Sequence, residues 1–243
     1  MTTDTACPHN KVITCNDCRL SSLCLPLGFT QSELSEIDNI ITQRPLLQKG
    51  DYLYRTHATF ECIYVVRSGC IKTVMTTKLG EEKITGFYLP GDIVGIEGIG
   101  EDIYNNSAIA LDTCSVCKIP FDHMESLAVK MPDLQRHIFK IMGREIVSDQ
   151  HAMMILNKNK AEARIAGFLL SLSSRFQRQK LSSTQWALPM SRGDLGNYLG
   201  LTIESVSRVF TRLRKQGVIQ INKREVIISN LAQLQILASI DSI

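Results

Sequence analysis

Three cysteines, Cys15, Cys18 and Cys24, fall within ten residues near the N-terminus in a C-x-x-C-x-x-x-x-x-C run. Thiolates this close together can wrap one face of a metal centre. A fourth ligand would complete a four-cysteine set for an iron–sulfur cubane or for a structural zinc. The other cysteines are Cys7, Cys62, Cys70, Cys114 and Cys117. Plain burial is the default for Cys62 and Cys70. Cys114 and Cys117 stand three apart, so on a strand their thiols point to opposite faces and only one can join the N-terminal three; the spacing does not say which. Zinc would be a redox-inert staple, whereas an iron–sulfur centre can be dismantled by oxygen, which would make residues 15–28 a switch.

A second chemistry is written between Met190 and Gly217. Ser191 and Asp194 can cap a short helix containing Leu195 and Tyr198, Gly200 permits a tight turn, and Thr202 can cap a second helix reaching Gln216. On that second helix Ile203, Val206, Phe210 and Leu213 share one face, and Glu204, Ser207, Arg208, Thr211 and Lys215 share the other. The apolar face anchors the helix and leaves the polar face for a major groove. There Arg208 has the fork to grip guanine O6 and N7, Glu204 can accept from a cytosine amino group, and Ser207 can lie against a thymine methyl. Arg192, Arg212, Arg214 and Lys215 suit phosphate contacts. Val218–Ile221 and Val226–Ile228, joined by Asn222–Glu225, form a hairpin, so the module is a winged helix-turn-helix.

Charge supports that placement. From Lys160 onward there are 12 Lys/Arg against 5 Asp/Glu, whereas residues 1–159 carry a net −4. Only the C-terminal third is built to meet a polyanion.

The elements that must position these two chemistries follow from the patterning. Residues 1–28 show no sustained period and read as a loop. Thr30 and Glu33 have capping-box spacing for a helix to about Ile41. From Leu46 to Ile119, short β-branched and aromatic runs punctuated by glycines predict an antiparallel roll. After Pro132 the pattern turns helical, and Gln135, Phe139, Met142, Ile146, Asp149 and Met153 alternate by four and three, a heptad seam fit to pair with a second copy. Asp149 on that seam sets two carboxylates against each other, which implies a marginal, switchable dimer. Asn157–Lys160 reads as the joint between domains, and Ala161–Phe176 as a further helix.

The expected organisation is α+β: a cysteine-rich segment (1–28), a β-roll sensor (29–130) resembling a cyclic-nucleotide-binding domain, a dimerisation helix (131–158) and a winged helix-turn-helix (159–243). No stretch approaches the roughly 18 apolar residues of a membrane helix, and no secretory pattern opens the chain, so a cytoplasmic protein with reduced thiols is expected.

In this order the features resemble the CRP/FNR superfamily, and most closely its oxygen-responsive FNR branch. The resemblance is closest at Ile84-Thr85-Gly86-Phe87, at Gly91-Asp92-Ile93-Val94-Gly95, from Arg192 to Thr202, and at Glu204-Ser205-Val206-Ser207-Arg208. It implies a 4Fe-4S cluster ligated by Cys15, Cys18, Cys24 and Cys117, because Val116-Cys117-Lys118-Ile119-Pro120 follows the family's fourth-ligand strand; Cys114 becomes a bystander. It also implies a homodimer through the heptad helix, with Glu204, Ser207 and Arg208 reading TTGAT-type half-sites in double-stranded DNA. Conversion to 2Fe-2S by oxygen would weaken the dimer and release DNA. Contact with RNA polymerase would activate genes of anaerobic metabolism. Arg19 departs from the family by placing a cation directly after Cys18, which favours a more reduced cluster and bears on oxygen sensitivity. Cys7 and His9 stand near the triplet as alternative ligands.

Two rivals use the same fold class differently. A cyclic-nucleotide sensor needs an arginine–serine pair for the cyclic phosphate, where this chain has Tyr104-Asn105-Asn106-Ser107-Ala108, so no cyclic nucleotide is expected. A metal-dependent oxygenase needs clustered histidines and carboxylates, and the five histidines, His9, His57, His123, His137 and His151, are scattered. No enzyme activity is expected.

Overall fold

The computed structural model describes residues 14, 15, 18, 20, 24, 29–41 and 46–238. Cys7, His9 and Arg19 lie outside them. Thr30 starts the first helix, α1 (Gln31–Ile40): its hydroxyl accepts from the Glu33 N–H at 3.4 Å, while the Glu33 carboxylate accepts from the Thr30 N–H at 2.7 Å. The buried residue of α1 is Ile37, and Asp38 beside it accepts from the backbone N–H of Cys15 at 3.2 Å. One end of the cysteine run is therefore tied to a capped helix.

Eight strands follow: β1 (Leu46–Leu47), β2 (Tyr52–Tyr54), β3 (Cys62–Ser68), β4 (Ile71–Thr76), β5 (Glu82–Tyr88), β6 (Ile93–Val94), β7 (Ser107–Ala110) and β8 (Cys114–Pro120). They make two antiparallel sheets, in the orders β1-β8-β3-β6 and β2-β7-β4-β5. The expected roll is present. A left-handed glycine, Gly69 (φ +79°), turns β3 into β4 where a Cβ would come within 2.5 Å of Cys114 Sγ, so only glycine fits. In the β3–β8 ladder Ile63 faces Ile119, Val65 faces Cys117 and Val66 faces Val116, before a bulge ahead of Ser68. The pleat then sends Cys117 to one face and Cys114 to the other.

Helix α2 (Phe121–Lys130) leads into α3 (Pro132–Leu156), 25 residues with proline in its first turn, where the missing N–H costs nothing. Leu134 and His137 on α3 are buried, while Phe139, Ile146 and Met153 of the heptad seam are 64%, 59% and 62% exposed. Met142 is half-buried and Asp149 exposed.

Beyond residues 157–160 lie α4 (Ala161–Arg178), β9 (Gln185–Ala187), α5 (Arg192–Leu199), α6 (Ile203–Lys215), β10 (Ile219–Asn222), β11 (Glu225–Ile228) and α7 (Leu231–Ala238). The expected hairpin is β10–β11, and β9 adds a third strand to it in the order β10-β11-β9. Three residues are too few to show an alternating pattern in sequence; β9 is held by Trp186, which is buried against Phe176 with ring centroids 5.4 Å apart. One hydrophobic core fills the roll. A second runs from Val74, Ile84, Phe87 and Leu89 of the roll through Ile165, Leu169 and Leu172 of α4 to Leu195, Leu199 and Phe210. Among the described residues no helix is long and apolar enough to cross a membrane.

Candidate thiol site and nucleic-acid interface

Cys15, Cys18, Cys24 and Cys117 line one small cavity of about 30 Å³ with Leu20, Ile37, Ile41, Val65, Arg67 and Ile119. Three of these thiols come from the N-terminal segment and the fourth from the outer face of β8. Cys114, on the inner face, is fully buried in the roll core, its Sγ 3.1 Å from the Cys70 carbonyl oxygen. Cys62 and Cys70 are buried as well. Burial pushes the Cys15 thiol well above the usual range, and Asp38, Cys24 and Cys117 push it further. Such a thiol gives up its proton only when a cationic centre offsets the thiolate. The donor set is all sulfur, which suits zinc or an iron–sulfur core. No group of three or more His, Cys, Asp or Glu among the described residues is gathered closely enough to hold a single metal ion.

Two side chains missing from the sequence-based list hold this segment: Asp38, and His137 of α3, whose Nε2 lies 3.3 Å from the Cys24 carbonyl oxygen. The His137 ring packs edge-on to Phe29 at 6.0 Å, and burial lowers its basicity. A histidine within a long helical pattern gives no sequence signal that it faces a loop more than a hundred positions earlier.

At the other end of the molecule the helix-turn-helix is built as its spacing predicts. Ser191 and Asp194 form a capping box on α5, Gly200 (φ +66°) closes it in the left-handed region, and Thr202 caps α6 by accepting from the Ser205 N–H at 3.2 Å. Val206, Phe210 and Leu213 are buried together with Val209. Ile203 departs from the expected apolar face: it is 50% exposed, because at the first helical position it precedes the turn that packs on α5. Glu204, Ser207, Arg208, Thr211, Arg212 and Lys215 are exposed. Hydrogen bonds from its own backbone and from Thr202 hold the Glu204 carboxyl below the usual carboxylate range, so it is ionised and ready to accept. Arg208 donates to Ser205 Oγ at 3.2 Å, and Ser207 and Thr211 bond back to carbonyls of their own helix. Arg212 pairs with Glu162 at 3.4 Å. Arg192 is half-buried with its guanidinium 3.3 Å over the Phe210 ring, so it packs α5 on α6 in this arrangement.

Residues 163–237 match the family of the Crp-like helix-turn-helix domain, and residues 45–130 match the cyclic nucleotide-binding domain family. The chain is 46% identical over 212 residues to the transcriptional activator protein FnrA of Stutzerimonas stutzeri, covering 87% of each chain. It is 45% identical to the transcriptional activator protein anr of Pseudomonas aeruginosa, covering 92% of each. It is 41% identical to the fumarate and nitrate reduction regulatory protein of Salmonella typhi, covering 93% of this chain and 90% of that one. The chain belongs to the CRP/FNR family. Among solved structures it is similar to FixK2 from Bradyrhizobium japonicum, with a TM-score of 0.75 and 28% identity over 82% of this chain and 98% of that one. It is thus a DNA-binding transcription regulator and not an enzyme.

The CRP/FNR regulator closes its two halves on each other through contacts the sequence does not announce. Asn197 of α5 accepts from the Ile84 N–H at 2.7 Å and donates to the Glu82 carbonyl at 2.8 Å, treating β5 as a strand edge. Lys72 of β4 pairs with Asp194 at 2.7 Å. Arg175 of α4 pairs with Asp92 and donates to the Phe87 carbonyl at 2.7 Å. Phe87, Phe168 and Tyr198 pack with centroids 5.2–6.0 Å apart. A cavity of about 160 Å³ opens beside this junction, lined by Asp92, Glu145, Asp149 and Arg175 among others. Burial, reinforced by Asp149 and Asp92, pushes the Glu145 carboxyl up to about 7.

The roll of this CRP/FNR regulator is filled from within. Tyr54 and Tyr104 stack at 3.9 Å, and the Tyr104 hydroxyl donates to the Cys62 carbonyl at 2.6 Å. Asn106 donates to Glu97 at 2.8 Å, and the Tyr54 hydroxyl lies 3.0 Å from Glu97 and 3.1 Å from Asn106. Phe60 packs beneath Gly98, where a Cβ would approach it to 2.4 Å.

Proposed function

We propose that this regulator is oxygen-responsive, holding a 4Fe-4S cluster on Cys15, Cys18, Cys24 and Cys117, and that as a homodimer in the cytoplasm it binds TTGAT-type half-sites and activates genes of anaerobic metabolism through contact with RNA polymerase. The observation that carries the reading is the convergence of those four thiols, from two distant parts of the chain, on one otherwise nearly apolar cavity. An all-sulfur donor set suits zinc or an iron–sulfur core, and similarity to FNR-type activators over most of the chain favours the latter. When bound, such a cluster supplies oxygen-labile iron–thiolate bonds.

The chain's own residues supply the rest. Asp38 and His137 orient the segment that carries Cys15 and Cys24. His137 stands on α3 two positions before Phe139, where the exposed seam of Phe139, Met142, Ile146, Asp149 and Met153 offers its apolar side to a second copy. How Cys24 is held therefore bears directly on the pairing helix. The Asp149 carboxylates keep that pairing marginal. In a dimer the two α6 helices present Glu204, Ser207 and Arg208 to successive major grooves, with Thr202, Thr211, Arg212 and Lys215 beside them for phosphates and Arg192 behind as support.

Anaerobically purified protein is expected to be brown, to absorb broadly near roughly 400 nm, and to carry about four iron and four sulfide per chain. It should dimerise and retain a TTGAT palindrome, and exposure to air should reverse both. Colourless protein with one zinc per chain, or iron-free protein that pairs and binds the palindrome equally with and without oxygen, would overturn the proposal.

A further inference from the structure

Among the residues lining the thiol cavity Arg67 is the one charged side chain, the other non-cysteine residues being Leu20, Ile37, Ile41, Val65 and Ile119. Its place follows from the ladder. Val65 sits opposite Cys117 on neighbouring strands, so both project to the same face, and Arg67, two residues beyond Val65, returns to that face across the bulge. Arg67 is half-buried, and among the described residues it has no ion-pair partner. Asp38 reaches the site only at Cys15, and no carboxylate is among the residues lining the cavity, so Arg67 is placed to answer negative charge that develops at the four thiols.

We infer that Arg67 is the counter-cation of the thiol site, a positioning residue that stabilises the more negative state of the group held there by charge and by N–H donation toward sulfur. The inference rests on the reading of Cys15, Cys18, Cys24 and Cys117 as cluster ligands. Thiolates outnumber the positive charge of such a core, so each added electron increases the negative charge, and a fixed guanidinium favours the reduced form most. Low polarity around the cavity strengthens the effect relative to a surface arginine. The planar fork also distinguishes this residue from a mere space filler, because it can direct N–H groups at sulfur.

The test uses full-length protein with its cluster intact, prepared anaerobically as wild type, Arg67→Met, Arg67→Gln and Arg67→Lys, with iron and sulfide content and the one-electron midpoint potential as readouts. With equal iron and sulfide in all four, Arg67→Met and Arg67→Gln should lower the potential by about 59 mV, a tenfold shift of the reduced-to-oxidised ratio at fixed poise. Arg67→Lys should recover at least half of that shift. Potentials unchanged in the Met and Gln variants, or lowered as much by Lys as by Met, would overturn the role of the charge while leaving the cluster reading intact. Should one neutral variant fail to fold, the other decides. Wild-type protein without iron or sulfide would instead remove the reading on which the inference stands.

Discussion

The two functional ends of the chain are built on opposite principles. In the helix-turn-helix every proposed reading residue stands on α6, which is capped by Thr202 and closed on its inner face by Val206, Phe210 and Leu213, behind α5 with its ends held by Ser191, Asp194 and Gly200. In the thiol site three of four candidate ligands lie on residues outside any helix or strand, and only Cys117 stands on a strand. The first geometry is complete in the polypeptide alone. The second brings together thiols from distant parts of the chain, among them Cys15, whose burial opposes its ionisation, and its tethers include Asp38 to Cys15 and His137 to Cys24. A rigid reader joined to a sensor that needs something to hold is the arrangement expected of a switch, because the element that changes must come from the less stable end of the molecule.

The sharpest way to break that contrast lies on a single strand. Cys117→Ser should abolish iron incorporation and anaerobic DNA binding together, since it removes the one ligand on the rigid side. Cys114→Ala, three residues away, should leave iron content unchanged and cost about 1 kcal/mol of folding stability through the lost Sγ contact with the Cys70 carbonyl. Iron analysis and denaturant midpoints of both variants decide the matter. If Cys114→Ala lost the iron and Cys117→Ser kept it, the assignment of faces on β8 would be wrong.

A smaller effect is expected at the reading end. Arg208→Ala should weaken binding to a TTGAT site roughly 5- to 150-fold, corresponding to about 1–3 kcal/mol, with little change on random DNA. Lys215→Ala should weaken both alike and flatten the salt dependence by about one counterion. Equal losses on cognate and random DNA for Arg208→Ala, measured at one salt concentration, would reduce the residue to a phosphate contact and leave base reading to Glu204 and Ser207.

Legibility in the sequence tracks the same divide. Caps, turns and the α6 face are local, set by residues three or four apart, and so Ser191, Asp194, Gly200, Thr202 and the exposed Glu204, Ser207 and Arg208 are readable; Ile203, expected on the apolar face, is half exposed, and Arg192, expected at phosphates, stacks on Phe210. The Cys15–Cys24 run was also local. Its fourth member was not, since choosing Cys117 over Cys114 needs the register of β8 against β3. The junction was invisible for the same reason. Lys72 with Asp194 and Ile84 with Asn197 are separated by more than a hundred residues, and neither pair has a period or motif of its own. Three of the stretches that carry the family resemblance, Ile84–Phe87, Gly91–Gly95 and Arg192–Thr202, nevertheless meet at this junction, which gives a physical reason for their shared character: they are the surfaces on which roll and reader are fitted together.

That junction is where the two ends meet, and its smallest test is electrostatic. Asp194 has two duties, capping α5 through Ser191 and pairing with Lys72 across the interface. Burial pushes its carboxyl up, but the hydrogen bonds from Lys72 and Ser191 outweigh that and hold it below the usual carboxylate range. A carboxyl depressed in the folded state adds stability above its unfolded value of about 3.9, and this stability is lost as pH falls through the folded value. Asp194→Asn should therefore cost about 1 kcal/mol at pH 7, with the difference from wild type shrinking once the pH drops below about 4. Lys72→Met removes the pair and keeps the cap, so a double-mutant cycle between the two isolates the contact that spans the junction. A coupling energy indistinguishable from zero would mean that the reader is held to the roll by the Phe87–Tyr198 packing, the Asn197 amide and the Arg175–Asp92 pair, and that Asp194 serves only the helix it caps.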